Sequence, residues 1–511
     1  MEKLLSKNPT TGEIIRELDV TSIDSLPEIF QRARVAQEKW SALSPRKRAG
    51  ALISLRETII NQIDDLAALI AQENGKPLFE AMMNELFPSV ELITYFAKKA
   101  PRILKDQVIH LGLMKHRTSY LNYWPLGTVA VISPWNYPFM LPFCEIVMAL
   151  AAGNAVVFKP SEVTPVIGLK IQQLCEEAGL PSNIVQTLIG GPELGAALIE
   201  QKPAKIFFTG SVPTGKKIMA AASKHLIPVN LELGGNDAMI ILADADLDYA
   251  TSAALWGGFS NSGQVCASVK RILVHESIAS SFVEQLKAKV TQLAATDLGA
   301  ITFERQKDIY ASQIDEAKSR GATFVTGGEF SANRTSLAPT IVTGPQIESM
   351  DIYNNESFGP IVAVTTFNSV DQAIQKANHS RYGLLASVIT KNLGLAEVIA
   401  KQLQVGTVTI NEVVYTAGLP ETPWGGLKDS GFGRTHSQQG LLEFVNVRHI
   451  HKPKSLLFVF KSLWWFPYTP HQYATFRQLF EVYRKGSFAK IKAIPLLLWN
   501  FVHFMKKEKR L

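Results

Sequence analysis

Cysteine is scarce in this chain of 511 residues, which holds only Cys144, Cys175 and Cys266. So small and odd a count excludes a disulfide framework and points to a reducing, cytoplasmic setting. The start, Met1-Glu2-Lys3-Leu4-Leu5, lacks the apolar core of an export signal. Long hydrophobic runs are also missing. The stretch 494–504 is eleven residues long and contains Pro495 and Asn500, too short to cross a bilayer. The conventional G-x-G-x-x-G turn is absent, which argues against an ordinary Rossmann dehydrogenase. The net charge of +7 is not a property of the whole chain: residues 452–511 alone carry +10, leaving the body at about −3. No nucleic-acid motif accompanies that basic segment, so nucleic acid is not an expected partner.

The length predicts two or three domains. Apolar residues at helical spacing predict helices over 23–42 and 46–74, as at Leu52, Leu55, Ile59 and Ile63. Short apolar runs at 128–133, 155–159, 184–188 and 205–209 read as buried strands, with helices over 140–151 and 165–178 between them. The alternation restarts with strands at 238–242, 271–275 and 407–410 and helices near 246–261, 276–294 and 370–380. Strand–helix alternation of this kind predicts parallel sheets with helical crossovers, an α/β fold. Residues 115–123 read as a hairpin arm.

Three segments carry chemistry. Ser262-Gly263-Gln264-Val265-Cys266 places a thiol in a small-residue loop after a helix. Cysteine is the side chain best suited to attack a carbonyl carbon. Leu231-Glu232-Leu233-Gly234-Gly235-Asn236 places a carboxylate in apolar surroundings, which predicts a raised pKa. Asn355-Glu356-Ser357-Phe358-Gly359-Pro360 adds a second carboxylate with an aromatic. For Cys144 and Cys175, in amphipathic helices, the ordinary role of a small buried hydrophobe suffices. Gly210-Ser211 before a helix start near Val212 could face a phosphate with free backbone N–H groups; an ordinary strand–turn–helix with a serine cap would look the same. Lys159-Pro160-Ser161-Glu162 stands at the carboxyl end of a strand, the edge where ligands bind in parallel sheets, and a solvated ion pair is its plainer reading.

Together these segments resemble the aldehyde dehydrogenase superfamily over about residues 7–450. The resemblance implies a Rossmann-type dinucleotide-binding domain (1–235, with a hairpin arm at 115–127), an α/β catalytic domain (236–430), an oligomerisation strand (431–454) and a C-terminal extension (455–511). It implies Cys266 as nucleophile, Glu232 as general base and Asn136 as oxyanion donor. It implies a cofactor site of Ile132, Ser133, Trp135, Lys159, Ser161, Glu162, Gly191, Gly195, Phe208, Gly210, Ser211, Leu233, Gly234, Glu356 and Phe358. Glu162 favours NAD, because a carboxylate accepts from a ribose 2′-hydroxyl and repels a 2′-phosphate; NADP is the alternative. Tyr137, Phe139, Met140 and Trp424 would line the substrate tunnel, which the small Cys144 widens where several relatives carry tryptophan. Glu232 favours hydrolysis of the acyl-enzyme over transfer to coenzyme A. A catalytically silent scaffold is the rival outside enzymology.

The implied substrate is an apolar aldehyde, long-chain or aromatic, and the implied assembly a homodimer or homotetramer. The stretches 226–229 (Leu-Ile-Pro-Val) and 464–468 (Trp-Trp-Phe-Pro-Tyr) resemble bacterial carotenoid-aldehyde dehydrogenases. Aromatics among basic residues beyond 455 suit either peripheral contact with a membrane or a lid docked on the body.

Overall fold

The computed structural model describes residues 3–483 apart from 113, 460 and 463, together with Pro495 and Trp499. The chain divides into two compact units, one of Met1–Leu104 with Trp124–Asn446 and one of Lys105–Tyr123 with Val447–Leu511.

The first unit holds two α/β sheets. One has six strands in the spatial order 431–432, 229–232, 206–209, 128–132, 155–159, 185–187. All pairs are parallel except that of Gly431–Phe432, which runs antiparallel beside Leu231 and Glu232. Chain order reverses at Thr128–Ile132: the next strand lies to one side and Ile206–Thr209 to the other. Such a switch point opens a crevice at the strands' carboxyl ends. The register aligns Ile132 with Lys159 and with Phe208, and Thr209 with Glu232. Residues scattered over a hundred positions thus share one edge.

The second sheet has seven strands in the order 323–326, 340–343, 361–367, 269–275, 237–241, 385–389, 407–410. It is parallel except at Thr323–Thr326. Its strands read as continuous apolar runs because both faces are covered: Ile272, Leu273, Val274, Val362, Val388 and Ile240 are fully buried.

The structure refines the sequence reading at several points. The helix expected over 46–74 is two, Pro45–Asn61 and Ile63–Asn74, because Gln62 leaves the helical region (φ −118°, ψ 20°). Strands Thr340–Thr343, Ile361–Phe367 and Leu385–Ile389, and helices Gln306–Ser319 and Leu393–Ala400, were not expected. Short apolar runs of this length fit a buried helix turn as well as a strand.

In the second unit, the strand Arg117–Pro125 pairs with Gln107–Ile109 and lies beside Val445–Pro453 in a three-stranded sheet. Ser119 and His451 are 2.6 Å apart across it. Farther on, Trp464, Trp465, Phe466 and Tyr468 are exposed, and Pro470–Tyr483 is helical. The apolar run 494–504 and the basic clusters after 483 lie outside the described residues, save Pro495 and Trp499. No helix among the described residues is long and apolar enough to cross a membrane.

Candidate active site

Cys266 owes its position to an unusual turn. The helix Leu247–Phe259, capped by Asp246, stops at Ser260. Asn261, Ser262 and Gly263 then take left-handed φ values of 51°, 51° and 67°. Two non-glycine residues in that region cost about 1–2 kcal/mol each, so neighbours must hold them. The Glu80 carboxylate accepts from the Asn261 N–H and the Ser260 hydroxyl, both at 2.9 Å. Ser262 Oγ donates to the Gly299 carbonyl at 2.7 Å, and Lys270 Nζ donates to the carbonyls of Gly263 (2.8 Å) and Gly359 (2.7 Å). Lys270 thereby ties the Cys266 loop to the Glu356 segment.

Asn136 is anchored to the same loop. Its Nδ2 donates to the Gln264 carbonyl at 3.0 Å, and its own carbonyl accepts from Lys76 Nζ (2.9 Å) and Asn261 Nδ2 (3.0 Å). An amide nitrogen carries two hydrogens, so one remains for a further acceptor. Lys76 in turn pairs with Glu85 at 2.6 Å, both side chains wholly buried, and Glu85 accepts from the N–H groups of Phe139 and Met140.

Glu232 ends its strand, is 7% exposed, and has an Oε1 without a hydrogen-bond partner. Burial pushes its carboxyl well above the ordinary range and the nearby Glu145 adds to the rise, while Arg434 opposes it. The Cys266 thiol is also pushed up, first by burial and then by Glu356, Asp237 and Glu232, so it holds its proton in this state. The modest thiol pKa that favours cysteine in general is therefore not what this resting site provides.

Cys266 and Glu232 line one cavity of about 320 Å³. Tyr137, Met140 and Trp424 line it as expected, but Phe139 is fully buried and stacks on Phe143 at 4.9 Å. Cys144 lines it too, as the widened tunnel implied, and the wall also has members the sequence did not reveal: Glu145 and His436 deep in the unit, and the acids Glu91 and Glu421. Cys144 Sγ sits 3.4 Å from His436 Nε2. Burial lowers the imidazole to about 4 and raises the thiol, so both are neutral at pH 7.

The crevice at the first sheet's edge collects the other expected residues. Lys159 Nζ lies 3.6 Å from Glu162 and donates to the Pro160 carbonyl; Ser161 Oγ accepts from Val163 N–H. Gly191 caps the helix Pro192–Glu200, and a Cβ on Gly195 would come within 3.4 Å of the Lys159 stem. Ser211 caps Val212–Ser223 without using its side chain on the helix N–H groups; Oγ goes to Thr214 at 3.0 Å. A Cβ on Gly210 would strike the Phe208 ring at 2.5 Å, and one on Gly234 would strike the Glu356 carboxylate at 2.0 Å. Glu356 accepts from Gly235 N–H at 3.0 Å, and burial raises it to about 7. Leu233 N–H donates to the Ser430 carbonyl. Phe358 (φ 53°) stands edge-on to Trp135 at 5.5 Å. Beside Ile132, Ser133 Oγ is buried without a partner. Free helix N–H groups, an unpartnered hydroxyl and a lysine–carboxylate pair fit a dinucleotide's phosphates and ribose hydroxyls.

The chain matches the Aldehyde dehydrogenase family over residues 2–450. It is 36% identical over 491 residues to a 4,4'-diapolycopene aldehyde oxidase of Methylomonas sp, covering 93% of this chain and 90% of that one. It is 37% identical over 461 residues to the peroxisomal aminoaldehyde dehydrogenase 1 of Pisum sativum, covering 87% and 91%. Among solved structures, the NAD+ complex of an aldehyde dehydrogenase from Bacillus cereus superposes with a TM-score of 0.85 at 32% identity, over 89% of this chain and 94% of that one. A betaine aldehyde dehydrogenase mutant from Staphylococcus aureus in complex with NAD+ gives 0.84 at 31%, over 90% and 95%. With nearly its whole body matched in sequence and in fold, the chain belongs to the aldehyde dehydrogenase family.

Proposed function

We propose that this protein oxidises an apolar aldehyde to the carboxylic acid, with NAD as acceptor and water as the final nucleophile. The observation that carries this reading is Glu232, buried with a free oxygen on the wall it shares with Cys266. Cys266 Sγ attacks the aldehyde carbon. The oxyanion is met by Asn136 Nδ2 and the Cys266 backbone N–H, donors of a kind that contribute about 3–4 kcal/mol each to the barrier. NAD, when bound, supplies the hydride acceptor, leaving a thioester on Cys266. Glu232 takes a proton from water, which attacks the thioester carbon; the C–S bond breaks and the acid departs. Lys159, Glu162, Ser133 and the helix start at Val212 would hold the adenosine and phosphates, Glu356 and Phe358 the nicotinamide end.

In this reading residues 1–235 form the dinucleotide domain and 236–430 the catalytic domain. The sheet of 107–109, 117–125 and 445–453 serves assembly into a homo-oligomer. The apolar substrate is supported by Met140, Trp256 and Trp424 on the cavity wall. It is supported also by the Methylomonas relative, whose match covers 93% of the 511 residues and so runs past the family's end at 450 into the aromatic extension. The exposed Trp464, Trp465 and Phe466 beside a +10 segment suit peripheral contact with an anionic membrane.

Glu91 and Glu421 on the same wall favour a second reading, a cationic aldehyde such as an aminoaldehyde. NADH formation across an alkyl-chain series and an aminoaldehyde, without coenzyme A, separates them. Each buried CH₂ contributes about 0.8 kcal/mol, so kcat/KM should climb about fourfold per carbon if the first reading holds. A flat series with preference for the amine overturns it, and a strict requirement for coenzyme A overturns hydrolysis.

A further inference from the structure

Aldehyde, NAD and water become carboxylate, NADH and two protons. One proton leaves the Cys266 thiol as sulfur bonds to carbon and one leaves the attacking water; when the C–S bond breaks the thiolate takes a proton back and the product acid gives one up, so two are released in all. Glu232 holds one proton at a time. It must be emptied of the first before it can take the second. A second acceptor in the same cavity would solve this.

Glu145 is such a group. It lies on the helix Met140–Ala152, is 5% exposed, lines the cavity with Glu232 and Cys266, and has an Oε2 without a partner. The two carboxyls each hold a free oxygen in one cavity, and the charge of Glu145 disfavours ionisation of Glu232. Lys205 is near enough for its charge to oppose the rise at Glu145, and it pairs with Glu443, which adds to that rise. The Glu443 side chain is 32% exposed, so this pair reaches solvent. Other ionisable groups around the cavity are Cys144 on the same helix, Tyr137, Cys266, Tyr415 and His436, and the acids Glu91 and Glu421; Arg434 acts on Glu232, and Arg48 lies on Pro45–Asn61. His436 stays neutral, and Arg48 is committed to the carbonyls of Leu43 and Ala151.

We propose that Glu145 is a positioning residue that takes the proton from Glu232 between the two half-reactions and hands it toward the Lys205–Glu443 pair. The proposal rests on the hydrolytic reading above. Burial raises Glu145 to about 8, with Lys205 opposing the rise. It can therefore both accept and release a proton near neutrality.

The test is full-length Glu145→Gln with NAD and an aldehyde the parent turns over. Stopped-flow NADH absorbance and a pH indicator are recorded between pH 6 and 10. The variant is expected to keep a burst of one NADH per site, because Glu232 still accepts the thiol proton. Its steady-state rate is expected to fall about tenfold or more. Its deacylation profile should follow one ionisation where the parent follows two, and Glu145→Asp should restore the second. A parent-like steady-state rate overturns the proposal, and so does a slower enzyme that keeps both ionisations. If Glu145→Gln does not fold, Lys205→Met provides the decision. Loss of that cation is expected to move the upper ionisation to higher pH, and an unmoved limb overturns the proposal. Glu232→Gln separates the two levels: parent-like hydrolysis there removes the reading itself. Arrest there with an unaffected Glu145→Gln removes only the relay.

Discussion

Replacing Gly263 with alanine should disable the site without touching any group that does chemistry. Gly263 has φ 67°, and a Cβ on it would lie 2.0 Å from the Gly359 carbonyl oxygen and 2.4 Å from its carbon. These are backbone atoms and cannot swing aside. Reaching van der Waals contact requires the Cys266 loop and the Glu356 segment to part by roughly 1 Å. The left-handed conformation itself costs alanine about 1–2 kcal/mol. Parting the segments also breaks one of the two bonds by which Lys270 spans the Gly263 and Gly359 carbonyls. A charged hydrogen bond of that kind is worth about 1.5–3 kcal/mol. The expected destabilisation is therefore about 3–5 kcal/mol. A 1 Å error between nucleophile and hydride acceptor is expected to lower kcat about a hundredfold. Thermal unfolding and the rate of the NADH burst measure the two effects separately. Gly263→Ala with the parent's midpoint and burst rate would refute the contact between these segments.

Glu232→Gln removes the acceptor of both the thiol proton and the water proton, so it should slow the NADH burst and lower steady-state turnover by about 10²–10⁴-fold; continued turnover at the parent rate counts against a base at this position. Lys76→Met leaves Glu85 buried and unpaired and should cost about 3–5 kcal/mol, with Lys76→Met/Glu85→Gln recovering part of it; a single variant as stable as the parent contradicts the burial of this pair. Because burial and three carboxylates raise the Cys266 thiol, its thiolate fraction in cofactor-free enzyme grows as pH rises. Iodoacetamide labelling of Cys266 should be slow at pH 7 and still climbing above pH 9, and a plateau by pH 8 would show an activated thiolate already in the resting site.

The sequence determined the α/β class and singled out the groups proposed to react. Each of those signals is local: a strand is a run of apolar residues, and a nucleophile loop is a few small residues around one cysteine. It determined the burial of Cys175 as well, from one helix's spacing. Strands such as Leu385–Ile389 were not legible, because both of their faces are covered and no alternation marks them. Only the tertiary structure decided that Lys270 joins two loops ninety residues apart, that Lys76 and Glu85 support Asn136, and that Glu145 faces the cavity. Those placements depend on which strand edge meets which helix, and the partners' separation in the chain leaves no local pattern to read. The raised Cys266 thiol has the same origin. Its surroundings come from two different sheets, Glu232 from one and Asp237 from the other, and from the loop of Glu356, and only their convergence removes the water that would otherwise favour the thiolate.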